Sequence, residues 1–146
     1  LKRDIKAFYK SYGEALELAE RALFAVGQPE IINNACVKAH EQHSAGELNQ
    51  GHDLIFHQSF LNEMPTELRI YVGCATQLYG SIADIQLIKV HITSGKVSLM
   101  RYDEWESDTP MLVERIKIKM RDQNIDFFDY SGEFEPQPLV NKAVFK

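Results

Sequence analysis

The chain has 146 residues, of which 45% are hydrophobic and 25% are charged, and its formal net charge is −5. This length and composition fit one globular domain and exclude a disordered or fibrous protein. No apolar run approaches the roughly 20 residues of a membrane helix, so we expect no membrane partner. The acidic total excludes a surface that binds nucleic acid everywhere, although it allows a local basic face.

The first residues and the cysteines indicate the origin of the chain. It begins at Leu1 with a run of charges and no hydrophobic signal segment, so we expect a piece of a longer protein or one trimmed at its start. Cys36 and Cys74 form no CxxC pair and fall on the apolar sides of predicted helices. They are therefore expected to be small buried residues in a reducing, cytoplasmic environment.

Helical periodicity dominates the first half of the chain. Residues 4–26 carry apolar side chains at three- and four-residue steps, and a second helix at about 29–42 presents Ile32, Cys36 and Ala39 on one side. The polar segment 44–53 is predicted to be a loop, followed by an extended piece at 54–57.

A third helix is predicted at 66–79, between Pro65 and Gly80. Its apolar positions share one face: Leu68, Tyr71, Val72, Ala75 and Leu78.

After residue 84 the period of the pattern changes from about 3.6 to 2, which is typical of strands. Ile88, Val90 and Ile92 are expected to point one way, and Lys89 and His91 the other. Ser94 and Gly95 suit a two-residue hairpin turn, with residues 97–102 as the returning strand.

Residues 110–114 are predicted to form a helical turn, and 115–121 (RIKIKMR) and 124–130 two more strands. The tail from Ser131, with its two prolines, is expected to be an extended arm.

Helices followed by strands predict an α+β fold, in which N-terminal helices pack on a mostly antiparallel β-meander of about four strands. We expect one domain over residues 1–146, with a helical part (1–80), a β-rich part (84–130) and an extended tail (131–146).

The common cofactor and catalytic motifs are absent. The chain has no GxGxxG or GxxxxGK[ST] loop, no GxSxG elbow and no HExxH pair. We therefore expect no cofactor in this chain, and a non-enzymatic role is favoured over a novel catalytic site.

Two polar clusters allow a functional and a structural interpretation. His40 and His43, with His52 and His57 downstream, have a spacing that can hold a metal, but interaction with a helix C-terminus is favoured and no metal is predicted. The acidic residues around Trp105 can act in acid–base chemistry or hold a divalent ion. A solvated link that ends in a helix cap at 108–110 is favoured.

The most informative pattern is a stripe of cations on one predicted strand: Arg115, Lys117, Lys119 and Arg121. Alternation places them on one side, about 6.5–7 Å apart, a spacing that can follow the phosphates of a nucleic acid backbone. Lys89 and His91 extend the stripe if their strand joins the same sheet. The alternative is a solvated face whose lysines discourage edge pairing, and both interpretations stay open.

Several stretches resemble a region of the bacterial DNA phosphorothioation-associated methyltransferase family. They are LRIYVGCATQLYG, IQLIKVHITSGKVSLMRYDEW and RIKIKMRDQNIDFFDY, with DIKAFYKSYGEALELAERALFAVGQPEII and LIFHQSFLNEMP before them. The sequence departs from the family at Phe56, where an aromatic hydroxyl is expected, and in the tail. The resemblance implies a role beside bacterial DNA modification and phage defence. It marks Lys89, His91, Asp129 and Tyr130 as a possible shared site.

Full-length members of that family also carry a DYGCGxG-like cofactor motif, which this chain lacks. The resemblance therefore implies either a companion domain of a methyltransferase or a relative that stands without the catalytic half.

Three functions follow as hypotheses. The first is a non-catalytic accessory domain that contacts DNA through a basic sheet face: Lys89, His91, Arg101, Arg115, Lys117, Lys119 and Arg121. The second is a protein-interaction module that docks on a methyltransferase domain or another defence subunit through helix 66–79 and the tail. The third, less favoured, is an enzyme that uses His91 with Asp129 or Tyr130 as an acid–base pair.

Overall fold

The computed structural model describes residues 28–43, 46–120, 122–130, 132 and 135–145. The helix predicted at 4–26 and Arg121 lie outside the described residues. The elements are α1 (Pro29–His43), β1 (Glu47–Asn49), β2 (Asp53–His57), a 3-10 helix (Gln58–Glu63), α2 (Thr66–Tyr79), β3 (Leu87–His91), β4 (Lys96–Asp103), β5 (Met111–Lys119), β6 (Asn124–Asp129), β7 (Gln137–Pro138) and a second 3-10 helix (Lys142–Phe145). None of the helices in these segments has the length and hydropathy needed to cross a bilayer.

Both described helices lie where the periodicity predicts them. In α1 the side chains of Ile32, Cys36 and Ala39 are buried as expected. Helix α2 ends at Gly80, which adopts a φ of 118° and donates its backbone N–H to the carbonyl of Thr76. Leu78 was expected on the buried face but is 41% exposed. Leu78 lies on nearly the same side of the helix as the buried Tyr71, so its exposure comes from its place one residue before the end of α2 and not from its rotation.

The strands form one seven-stranded antiparallel sheet in the order β1-β2-β3-β4-β5-β6, with β7 paired to β5. The α+β class and the antiparallel meander are confirmed, but the sheet has more strands than the four or so predicted. Strand β2 is the extended piece predicted at 54–57, whereas β1 lies in the segment predicted to be a loop and β7 lies in the tail. The three residues of β1 are too few and too polar to show an alternating pattern.

Two local predictions are wrong. His91 pairs with Lys96, so the β3–β4 connection is a loop of four residues, 92–95, and not a two-residue turn. The sequence pattern predicts that Ile92 continues β3, but the strand ends at His91. Ile92 is buried, and its backbone N–H donates to the carbonyl of His52. The segment 110–114 forms no helical turn. It enters β5 directly after Pro110, a residue that starts a strand as readily as a helix.

The two faces of the sheet are covered differently. Alternation directs Ile88, Val90, Leu99 and Ile116 towards the two helices, where they pack in the main core. We call this the inner face. On the opposite or outer face lies a second, smaller core: Leu87, Met100, Leu112, Tyr130, Leu139 and Phe145.

The tail contributes to this second core, in contrast to the free extended arm that was expected. Leu139 and Phe145 are buried, the backbone N–H of Leu139 donates to the carbonyl of Pro110, and that of Gly46 donates to the carbonyl of Val144. The tail therefore covers one half of the outer face, and no segment that the structure describes covers the other half.

Candidate nucleic-acid interface

The open half of the outer face carries two rows of side chains that run across five strands. The strand register aligns the first row as Asp53, His91, Lys96, Lys119 and Asn124. The second row is Ile55, Lys89, Ser98, Lys117 and Asp126. We call these two rows the basic half. Neighbouring strands lie about 4.8 Å apart and the rows about 7 Å apart, so the four lysines form one compact group.

Only part of this positive charge is neutralised within the sheet. Lys119 Nζ lies 2.9 Å from Asp126 Oδ2, and Lys89 Nζ lies 3.8 Å from Asp53 Oδ2. Lys96 forms no ion pair with any residue that the structure describes, and neither does Lys117. Four lysines less two aspartates leave a formal charge of +2 on the basic half.

Lys117 lies where the positive charge is most concentrated. Partial burial lowers the pKa of its ammonium, and the cations Lys96, Arg115, Lys119 and Lys89 lower it further. Its Nζ lies 5.7 Å from the centre of the Phe128 ring. Four neighbouring cations disfavour the protonated form of Lys117. A nearby anion offsets their repulsion and therefore stabilises the ammonium group.

His91 belongs to the basic half as a neutral hydrogen-bonding group and not as a cation. Its Nε2 lies 2.9 Å from the hydroxyl oxygen of Ser98, which is 1% exposed. Burial lowers the pKa of the imidazole to about 4, and Lys89, Lys117 and Lys96 lower it as well, whereas Asp53 raises it. The expectation that His91 adds positive charge is therefore corrected.

Two of the three predicted arginines lie outside the two rows, and the third, Arg121, is not among the described residues. Arg115 is on the outer face at the border of the second core, where it pairs with Met100 and its Nη2 lies 3.9 Å from the methionine sulfur. Arg101 is on the inner face, where it forms a 3.2 Å ion pair with Glu114. Side chains alternate along β4, so Arg101 shares the inner face with Val97 and Leu99. Lys96, which sequence reasoning missed, shares the outer face with Ser98.

The structure does not bring together the proposed acid–base pair. Asp129 pairs with Glu114 and therefore lies on the inner face, opposite to His91. Tyr130 belongs to the second core, and its backbone N–H donates to the carbonyl of Val113. His91 lies at the other end of the outer face and three strands away, so these three residues do not converge in one cleft.

The remaining predicted clusters have structural contacts. His43 Nε2 lies 2.9 Å from the carbonyl oxygen of Glu63, and His57 Nδ1 accepts a hydrogen bond from the backbone N–H of Ser59. In the described ranges, no three His, Cys, Asp or Glu side chains are grouped to hold a metal. Burial raises the pKa of the Cys36 thiol to about 12, whereas Cys74 is only half-buried.

The segment around Trp105 is a link between β4 and β5, and no helix follows it. The indole ring lies 5.2 Å from the ring of His57 and 5.8 Å from that of Tyr102. Lys142 Nζ, from the tail, lies 5.4 Å from the centre of the indole ring. Trp105 thus lies on the outer face beside the second core, at the edge of the half that the tail covers.

Comparison of the chain with protein-family models, with curated proteins and with solved structures finds no match. The family resemblance of the sequence therefore stays a prediction. The functional proposal has to rest on the geometry and charge of the basic half.

Proposed function

We propose that this chain is a non-catalytic accessory domain of a DNA phosphorothioation-associated defence protein, and that it contacts DNA phosphates through the basic half. The observation that carries this proposal is the grouping of Lys89, Lys96, Lys117 and Lys119 on adjacent rows of one open sheet face. Two of these ammonium groups have no carboxylate partner among the described residues. The family resemblance adds the DNA-modification context.

The position of the strands argues against the structural alternative. Lysines often protect the edge of a sheet from pairing with another chain. Strands β3, β4 and β5 each pair with a strand on both sides, so their lysines protect no edge. Directly opposite like charges, such as Lys96 and Lys119, destabilise a sheet slightly. A bound polyanion offsets that repulsion, which gives the arrangement a functional explanation.

A salt-titrated binding assay tests the proposal. We expect the affinity for a labelled oligonucleotide to fall steeply between about 50 and 200 mM salt. The double variant Lys96→Gln/Lys117→Gln should bind about tenfold or more weakly, and the slope of log affinity against log salt should decrease by about 1.8 for duplex DNA.

The matched control is Lys38→Gln/Arg69→Gln, which removes the same charge from exposed positions on α1 and α2. It should leave the affinity and the slope within error of the wild type. Equal losses in both double variants would show that the effect comes from net charge alone. Absence of binding at low salt would contradict the proposal.

A second function, docking on a methyltransferase domain or another defence subunit, is favoured by one observation. Phe127 lies on β6, the last strand in the sheet order, and 59% of it is exposed. The surfaces first expected to dock, α2 and the tail, bury most of their apolar side chains inside this chain. If docking is the function, Phe127→Ser should abolish co-purification with the methyltransferase half, and Lys96→Gln/Lys117→Gln should not.

A further inference from the structure

A cleft of about 440 Å³ opens beside the second core, where the β4–β5 link meets the tail. Its lining residues come from the β4–β5 link and the tail: Trp105, Glu106, Asp108, Val140, Lys142 and Ala143. This volume lies in the range of roughly 300–1,000 Å³ that is typical of small-ligand sites. The proposed phosphate contacts do not use the cleft, so its chemistry calls for a separate explanation.

The aromatic wall of the cleft is held in place by its neighbours. The rings of His57 and Tyr102 are tilted against Trp105, at 40° and 60°, and fix the indole against the sheet. Val140 lines the same cleft and is 86% exposed. A fixed indole beside an exposed aliphatic group suits a flat apolar ring that stacks on one and contacts the other.

The polar groups of the cleft indicate which kind of ring. Lys142 Nζ donates a hydrogen bond to the backbone carbonyl of Ser107 at 2.8 Å and is thereby held over the indole. Glu106 and Asp108 add two exposed carboxylates. Carboxylates accept hydrogen bonds from amino groups on base edges and repel phosphates. The cleft is therefore suited to an uncharged, donor-bearing base.

The cleft and the basic half are close enough for one short strand to reach both. Lys89 lies two residues from Leu87, which pairs directly with His57, and the ring of His57 contacts Trp105. Two residues along a strand span about 7 Å, so Lys89 is about 7 Å along the sheet from the Leu87–His57 pair that leads to Trp105. Bases in a duplex enter such a cleft only after costly unpairing and unstacking, whereas bases of a single strand do not need to unpair.

We propose that the natural ligand is single-stranded DNA, with its phosphates on the basic half and one unstacked base in the Trp105 cleft. This inference rests on the proposed function, because the lysines hold the backbone that delivers the base. It adds the prediction that the protein prefers single-stranded over duplex DNA.

Trp105 is the only tryptophan of the chain, so its fluorescence reports directly on the cleft. The full chain is titrated at low salt with three ligands: a single-stranded oligonucleotide of about eight nucleotides, the corresponding duplex, and inorganic polyphosphate. The single strand should quench the tryptophan and bind more tightly than the duplex. Polyphosphate should compete for the lysines and leave the fluorescence nearly unchanged.

Variants of Trp105 separate stacking from charge. Trp105→Leu should weaken single-strand binding about tenfold and leave polyphosphate binding unchanged, because stacking contributes only to the base. Trp105→Phe should recover most of the loss. If Trp105→Leu does not fold, the base site is tested by the tryptophan fluorescence of the wild type and by the affinity of Trp105→Phe for the single strand.

The outcomes distinguish this inference from the proposed function. Equal affinities for single strand and duplex, with unchanged fluorescence, overturn the base site and leave the phosphate contacts standing. Quenching by polyphosphate as strong as by the oligonucleotide also overturns it. Absence of binding to all three ligands overturns both proposals.

Discussion

The two halves of the outer sheet face are formed by the same strands, and on each strand the two halves meet between residues that are two positions apart. Leu87 is followed by Lys89 on β3, Met100 is preceded by Ser98 on β4, and Arg115 is followed by Lys117 on β5. The apolar half is covered by the tail, and none of the segments that the structure describes covers the basic half. Period-two alternation decides which face a side chain occupies, but the tail decides which part of that face stays open for a ligand.

The apolar half should account for stability, and the largest effect is expected at the end of the tail. Phe145 is 3% exposed in the second core, so Phe145→Ala should lower the free energy of unfolding by about 3 kcal/mol through lost burial and a cavity. Chemical denaturation measures this loss. Val144→Ala, at a 40% exposed neighbour, is the control and should cost much less. Equal small losses would mean that the tail does not anchor this half.

The buried histidine of the basic half should make stability depend on pH. The pKa of His91 is about 4 in the folded chain, below the ordinary value of 6.5. The unfolded chain therefore binds more protons between these values, and stability is lost as the pH falls from 6.5 towards 4.

Burial is the largest cause of this low pKa; among the groups that face His91, Lys89 from its own strand, Lys117 from β5 and Lys96 from β4 lower the pKa further, and Asp53 from β2 raises it. With allowance for partial exposure of the ring, we expect a loss of about 1–2 kcal/mol at pH 4 that is absent in His91→Gln. Denaturation curves of both proteins across this range give the difference. Parallel pH profiles would contradict the low pKa.

The inner-face ion pair tests the assignment of the faces. Arg101→Gln removes the partner of Glu114 and should cost about 0.5 kcal/mol, since both side chains are partly exposed. Because Arg101 points away from the basic half, its loss should leave the affinity for DNA unchanged. A tenfold loss of affinity in Arg101→Gln would show that the inner face takes part in binding.

The smallest expected effect has the opposite sign. Lys96 lies directly opposite Lys119, so Lys96→Gln should raise the free energy of unfolding by a few tenths of a kcal/mol at low salt. The gain should disappear as salt screens the charges. Lys38→Gln, on α1, provides the comparison and should show no such gain. A loss of stability in Lys96→Gln would mean that the lysine makes a structural contribution.

Regular patterns in the sequence predicted the parts of the fold that local periodicity controls. The alternation in β3 and β5 placed Lys89, Lys117 and Lys119 on one side, because side chains of a strand alternate by geometry alone. The same rule would have excluded Arg101 and found Lys96 if it had been applied to β4. These errors came from its incomplete use and not from missing information.

Other features depend on contacts between distant segments and have no local signal. Strand β1 forms because β2 pairs with it, and Gly46 allows the chain to enter it with a φ of 89°. An added Cβ at Gly46 would lie 2.3 Å from the carbonyl oxygen of Ile55. The docking of Phe145 and the cleft at Trp105 likewise arise from the return of the tail, which no periodicity predicts.

The most direct test of the account is to map the DNA contact residue by residue with backbone amide NMR at low salt. We expect the shifts caused by a short oligonucleotide to cluster at Lys89, His91, Lys96, Ser98 and Lys117, and the amides of α1 and of Arg101 to stay unchanged. Shifts centred on the helices, or spread evenly over the surface, would contradict the assignment of binding to the open half of the outer face.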